Sequence, residues 1–401
     1  MNTMKEQESD AESEHSHEHE GYLGLLNDEV LVGSNAARAL LDAGVGSRDA
    51  LLRANPSWVR IGTFQELLRR ARQALDSDAS VALELTTFVL AHLDEVPPLA
   101  DDAAFLMTHL QGTAWKEHAN ALFMLTRLDD ALDAANRAVS IFSHDPFHVV
   151  YRASARVVVA LVKHGLHRNE EAIPILEEAI GVFAEHSDTR GYIAALQVRA
   201  MIALAQHSYT EALDLYLAAY REAERSGDKR ERSRILNNLA LCEMRLGQLD
   251  FASAYMAEAY LGFTRERMDG ELQRAIWLTA AIERERGDLD AALRALHGVY
   301  ARFLERGMVT EAARVLVQVG DVVTDLTGDV AYAKDICAKL AVTLGRYNVP
   351  AEVRKAVDHL KDAGARTHSV AGLRAVLGHV GAFLREFLGS PSAVFHATLT
   401  D

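Results

Sequence analysis

In the stretch NNLALCEMRLGQLDFASAYMAEAY, Asn237 to Tyr260, apolar residues recur three and four positions apart, the period of one helical face. Small residues interrupt the pattern at fixed intervals, at Ala240, Gly247, Ala252 and Ala259. It predicts two amphipathic helices turning at Gly247, with alanines where a neighbouring helix must come close.

The spacing recurs along the chain. With Ala252 as anchor, matching segments are DDALDAANRAV at Ala131, EEAIPILEEAI at Ala172, TEALDLYLAAY at Ala212, DAALRALHGVY at Ala292 and AYAKDICAKLA at Ala333. Successive anchors lie 41, 40, 40, 40 and 41 residues apart. Twelve residues before five of them stands another alanine: Ala119, Ala160, Ala200, Ala240 and Ala280. Five residues before the later anchors stands a glycine, Gly247, Gly287 and Gly328, which supplies the left-handed conformation that ends a first helix. A period held over six units predicts stacked helix–turn–helix repeats.

This arrangement resembles the tetratricopeptide repeat family, through the small residue of the first helix (Ala240), the turn glycine (Gly247) and the second-helix alanines Ala252 and Ala259, with the large Met256 between them. The family's usual period is about 34 residues. The longer period here is similar to the repeats of kinesin light chains and of bacterial peptide-sensing regulators. The units also lack the proline that often closes a repeat. The resemblance covers residues 101–345 and implies an all-α, right-handed α-solenoid of stacked antiparallel helix pairs.

Composition agrees with the all-α class: there are only 7 prolines among 401 residues, strand signals are nearly absent, and 49% hydrophobic content is ample for a large core. A chain of this length calls for several domains or a repeat array. Residues 1–20 hold Lys5 against seven acids and read as a disordered acidic tail. Residues 21–58 form a short helical segment, including a helix over Ser47–Asn55 with Ser47 as N-cap, and NPSW forms a turn. A divergent helix pair at 59–76 and 80–94 precedes a break at Val96–Pro98. After the array, helices at 350–363 and 368–388 cap the chain within 346–391. The last of them, apolar and rich in glycine, is read as a terminal cap, with an exposed partner-binding helix as the alternative.

The net charge of −15, of which the tail contributes −6 and the remaining residues −9, disfavours nucleic acid as a partner. Cys242 and Cys337, the only cysteines, fall at apolar helical positions, as expected of a reduced, cytoplasmic protein. Neither a signal-peptide pattern nor an apolar run of about 20 residues occurs, so no membrane partner is expected.

His15, His17 and His19 alternate with carboxylates, but a mobile tail holds no fixed tetrahedral site. His118, His144, His148, His164 and His167 show no ligand spacing. Nucleophile-elbow, phosphate-loop and dinucleotide motifs are absent, and Glu177 and Glu178 point in different directions. The expectation is therefore no metal, no cofactor and no catalysis. Residues 21–58 also lack a basic recognition helix.

What remains is a surface. Positions six and three before each first-helix alanine, and one and four after it, share a face. These positions yield Thr113, Lys116, Asn120 and Phe123; Ser154, Val157, Leu161 and His164; then Ala194, Gln197, Met201 and Leu204. They continue with Arg234, Asn237, Leu241 and Met244, and with Arg274, Trp277, Ala281 and Arg284. The candidate groove comprises Arg234, Asn237 with its neighbour Asn238, Arg274, Trp277, Lys116, Asn120 and Gln197. Guanidiniums grip carboxylates, an Asn amide pairs with a peptide backbone, and an aromatic ring holds an apolar side chain. The partner expected is a protein or peptide with an acidic segment or a C-terminal carboxylate. The alternative for the arginines is interhelical pairing with Glu231, Glu271 or Glu283. The function expected is a non-catalytic scaffold holding an extended segment in its groove; the alternatives are a signalling or response-regulator-controlling protein switched by a peptide, and an accessory subunit of an enzyme complex.

Overall fold

The computed structural model describes residues 32–75, 78–97, 104–144, 146–305, 307–347, 349–389 and residue 395. The expected acidic tail, the beginning of the segment 21–58 and Pro98 of the expected break lie outside the described residues. Every regular element among those described is helical.

Helix α1 spans 32–42, and α2 (Val45–Ala54), α3 (Ile61–Ala74) and α4 (Ala79–His92) follow. Next come α5 (Ala104–Met124), α6 (Leu128–Ser143) and α7 (Val149–Gly165). Then α8 (Asn169–Glu185), α9 (Thr189–Ala205), α10 (Tyr209–Ser226), α11 (Lys229–Arg245) and α12 (Leu249–Arg265) continue the series. It ends with α13 (Asp269–Arg286), α14 (Leu289–Glu305), α15 (Val309–Thr327), α16 (Val330–Leu344), α17 (Ala351–Arg366) and α18 (Val370–Gly389). The chain divides into two compact units, residues 1–168 and 169–401, a division that falls inside the stretch whose period is continuous.

The period is written into the turns. Residues with positive φ stand at Thr126, His167, His207, Gly247, Gly287 and Gly328, the same 41, 40, 40, 40 and 41 residues apart as the alanine anchors. A second series, Ser187, Gly227, Arg267 and Gly307, closes the other helix of successive units at intervals of 40. Each turn from Thr126 to Gly307 carries a reverse hydrogen bond from the next amide to the carbonyl five residues back, such as Arg127 N to Leu122 O at 2.9 Å and Gln248 N to Glu243 O at 2.8 Å. This bond satisfies carbonyls that a helix end leaves open. Glycine is thus one of several residues at this place: the hydrogen-bonded turn imposes the left-handed conformation even on Thr126, His167 and His207. Where aspartate follows, it caps the next helix, as Asp188 accepts from Gly191 N, Asp228 from Glu231 N and Asp288 from Ala291 N.

The register alanines are the contact points. Ala119, Ala131, Ala160, Ala172, Ala200, Ala212, Ala240, Ala252, Ala292 and Ala333 have no exposed surface, and Ala280 is 2% exposed. With only a Cβ at these positions, adjacent backbones close on one another. Large side chains fill the spaces between: Leu176, Tyr216, Met256 and Leu296 stand four residues after their anchors, and all are buried. In the second unit one core cluster runs from Ile193 to Ile282 and another from Ala280 to Phe395. In the first unit the main cluster joins α1 to α5, with Phe64, Leu67, Leu85 and Leu110 among its members.

One expectation is corrected. Ser47 is not an N-cap: α2 begins two residues earlier, after Gly44, and Ser47 donates its own amide to Gly44 O. Leu373, Val376, Leu377, Val380 and Leu384 of α18 are buried in the second unit's core. Gly320 on α15 permits that packing, since a Cβ there would stand 2.7 Å from Leu377 and 2.8 Å from Cys337 Sγ.

Candidate functional site

In the second unit the predicted face lies on α9, α11 and α13. Gln197, Arg234, Asn237 and Trp277 are half-buried, while Met201 and Arg274 are exposed. Polar side chains on this row reach the next first helix along. Gln197 Nε2 donates to Glu231 Oε1 at 2.6 Å, joining α9 to α11. Arg234 donates to Glu271 Oε1 from Nε at 3.2 Å and Nη2 at 3.0 Å, joining α11 to α13. Its Nη1 lies 3.4 Å from Glu231 Oε2, so the chain Gln197–Glu231–Arg234–Glu271 is continuous. The indole Nε1 of Trp277 donates to Gln318 Oε1, and Arg284 Nη2 donates to Asp325 Oδ2 at 2.8 Å, joining α13 to α15.

Of the two readings open for Arg234, the structure shows the ion pair: its guanidinium is engaged by Glu231 and Glu271. Arg274 differs. It is exposed and takes part in none of the ion pairs among the described residues. Asn237 lies between the cross-links, and its Oδ1 is buried with no hydrogen-bond partner. Its neighbour Asn238 is half-buried and one helical step round from the row.

In the first unit Lys116 and Asn120 serve a different purpose. Glu117 beside them is 1% exposed and accepts from Asn120 Nδ2 at 3.1 Å and from Arg72 Nε of α3 at 3.0 Å. Lys116 Nζ lies 3.3 Å from Glu117 Oε1 and 3.4 Å from Ser154 Oγ of α7. Burial would raise the Glu117 carboxyl, but Lys116, Arg72 and Asn120 outweigh it and hold the group down at about 2. Lys116 and Asn120 therefore have a partner within the fold: the Lys116 ammonium helps to neutralise the buried carboxylate of Glu117, and the Asn120 amide donates to it.

Sequence reasoning missed Gln318, Asp325 and the α18 residues beside them. The signal was present but broken, because Asp321 stands twelve residues before Ala333, where the other units have alanine. Carried past it, the register puts Gln318 in the place of Trp277 and Asp325 in the place of Arg284. The observed contacts thus join equivalent positions one unit apart.

Among the described residues, no group of three or more His, Cys, Asp or Glu is placed to hold a metal ion. Burial pushes the thiols of Cys242 and Cys337 up to about 12, leaving both protonated and poorly nucleophilic. No described helix is long and apolar enough to cross a membrane.

No protein-family model and no curated protein matches the chain. Solved structures do. The chain is similar to a Rap protein complexed with competence and sporulation factor, at 14% identity and a TM-score of 0.57, over 90% of this chain and 99% of that one. It is also similar to aspartyl phosphate phosphatase F from Bacillus subtilis, at 15% identity and a TM-score of 0.52, over 92% and 97%. A Rap conjugation gene regulator of plasmid pLS20, in complex with a Phr peptide, matches at 13% identity and a TM-score of 0.53, over 75% and 77%. The fold is accordingly a TPR-like α-solenoid of helical repeats.

Proposed function

We propose that the chain is a non-catalytic binding scaffold that holds an extended segment of a protein or peptide along the first-helix face of its second unit. The observation that carries this reading is Asn237. Its amide oxygen has no hydrogen-bond partner in the fold, so a turn of this half-buried side chain toward the face would let it accept from the backbone N–H of an extended peptide. Arg274, exposed on the following first helix, supplies a cation for an acidic or C-terminal carboxylate group. The likeness to a Rap regulator in complex with a Phr peptide supports the same use of the fold.

The test is to pass random dodecapeptides over the immobilised full chain and titrate retained sequences calorimetrically into wild type, Asn237→Leu and Arg274→Glu. Each variant is expected to bind at least about tenfold more weakly, the effect of one lost hydrogen bond to a buried or charged group. Equal affinities in the folded variants would overturn the reading. The peptide-bearing likeness also favours a second reading, in which the bound peptide switches the chain's hold on another protein. That reading expects a captured protein to be released or recruited when the peptide is added.

A further inference from the structure

Helix α18 packs against α15 and α17, and between α13, α15 and α18 lies a cavity of about 230 Å³. Its apolar wall is the Trp277 indole with Val317 and Leu377. Its polar wall is formed by Arg284, Arg314, Gln318 and Asp321. The cavity therefore starts on the peptide face, at Trp277, and ends beneath the terminal helix.

The polar wall is rich in donors. An indole N–H can only donate, so its bond to Gln318 turns Oε1 toward Trp277 and leaves the two hydrogens of Nε2 directed elsewhere. Arg314 lies 4.2 Å from the centroid of the Trp277 ring, which holds its guanidinium at the wall. Asp325 takes both Arg284 Nη2, at 2.8 Å, and Arg374 Nη2, at 2.5 Å. Two guanidiniums, Arg284 and Arg314, thus line the cavity with one carboxylate, Asp321, in a chain of net charge −15, while Asp325 holds Arg284 from beside it.

The glycines of α18 keep the space open. A Cβ added at Gly378 would meet nothing within 4 Å, so no packing demands glycine there. Glycine inside a helix is nevertheless less favourable than alanine. With Gly381 also lining the cavity, α18 presents bare backbone to it.

We infer that this cavity receives the C-terminal residue of the bound segment, its α-carboxylate against Arg284, Arg314 and Gln318 and its apolar side chain against Trp277, Val317 and Leu377. Asp321 accepts the N–H of that residue. The inference rests on the reading that the first-helix face holds an extended segment, and it specifies which end of that segment is read.

Two matched random dodecapeptide libraries, one with free C-terminal carboxylates and one with C-terminal amides, are passed over the immobilised full chain and the retained peptides sequenced by mass spectrometry. The free-acid library is expected to be retained at least tenfold better, with Leu, Ile, Val, Met or Phe enriched at the last position. Gly378→Leu, which sets a side chain where a Cβ has open space and favours the helix, is expected to abolish that preference. If Gly378→Leu disturbs the helix content seen by circular dichroism, Arg284→Gln serves the same purpose. Equal retention of acids and amides overturns the inference, as does an unchanged preference in the folded variants. If acids and amides are held equally but both are lost on Asn237→Leu, the groove reading stands and the terminal cavity falls. If neither library is retained, both fall.

Discussion

Arg234 on α11 and Glu271 on α13 stand 37 residues apart, and the single oxygen Glu271 Oε1 accepts from both Nε and Nη2 of the guanidinium. The pair fastens the adjacent first helices α11 and α13. Its side chains are 30% and 15% exposed, so solvent screens part of its strength.

Removing the charge with Arg234→Gln is expected to cost about 0.5–1.5 kcal/mol. Arg234→Glu should cost more, because it sets a third carboxylate beside Glu231 and Glu271. Urea unfolding of both variants checks the order, and reversing it would remove the pair from the list of stabilising contacts.

The left-handed turn positions make opposite predictions for residues in equivalent places. Thr126, β-branched and held at a φ of 58°, is strained there, whereas Gly247 at 77° is not. Thr126→Gly should raise stability by about 0.5–1 kcal/mol, and Gly247→Ala should lower it by about 1 kcal/mol. Thermal melts of the two variants are the measurement, with shifts of opposite sign expected.

Ala240 and Ala252 touch neighbouring helices with no surface exposed. Enlarging either one, as in Ala240→Leu or Ala252→Leu, should overpack the contact and cost about 1–3 kcal/mol. Melting temperatures equal to wild type would show that the helices can separate at these points without loss.

Acid should weaken the first unit in two stages. Burial holds the imidazoles of His109 and His118 down at about 4, below their ordinary 6.5, helped by His148 beside the first and Arg127 beside the second. The neutral form is native, so their contribution is full above pH 6.5 and is lost as the pH falls from 6.5 to 4. At pH 5 the two together should lower stability by about 2–4 kcal/mol. Glu117, depressed from 4.5 to about 2, adds a second loss between those values. Amide exchange in α5 at pH 7.5 and pH 5 is the check, with His109→Phe and His118→Gln expected to flatten the first stage.

The repeat architecture was legible because it rests on local rules. A helical period shows in any window of a dozen residues, and Ala at a fixed phase marks a close helix contact wherever it falls. The anchors from Ala131 to Ala333 therefore located the helix pairs, and the three turn glycines located half of the turns within them. The other half were hidden, since His167 and His207 carry no compositional mark of a left-handed conformation; the reverse hydrogen bonds of the turn impose it.

The candidate site was legible only as a row of positions. Periodicity tells which residues share a face, and it placed Gln197, Arg234, Asn237 and Trp277 on one. It does not tell which atom of the next helix stands opposite, because that depends on how two helices cross 34 to 41 residues apart in sequence. Glu271 was thus an alternative for Arg234 until the crossing was seen, and that Arg72 of α3 reaches Glu117 beside Lys116 shows only in the packing. The cavity beneath α18 had no sequence signal, since its walls come from three helices joined only by tertiary packing. The sequence by itself determined the period, the helical faces and the contact alanines, all set by geometry within a single helix. Tertiary structure alone decided which charges are neutralised and where space is left, because both depend on atoms that meet only when distant helices pack.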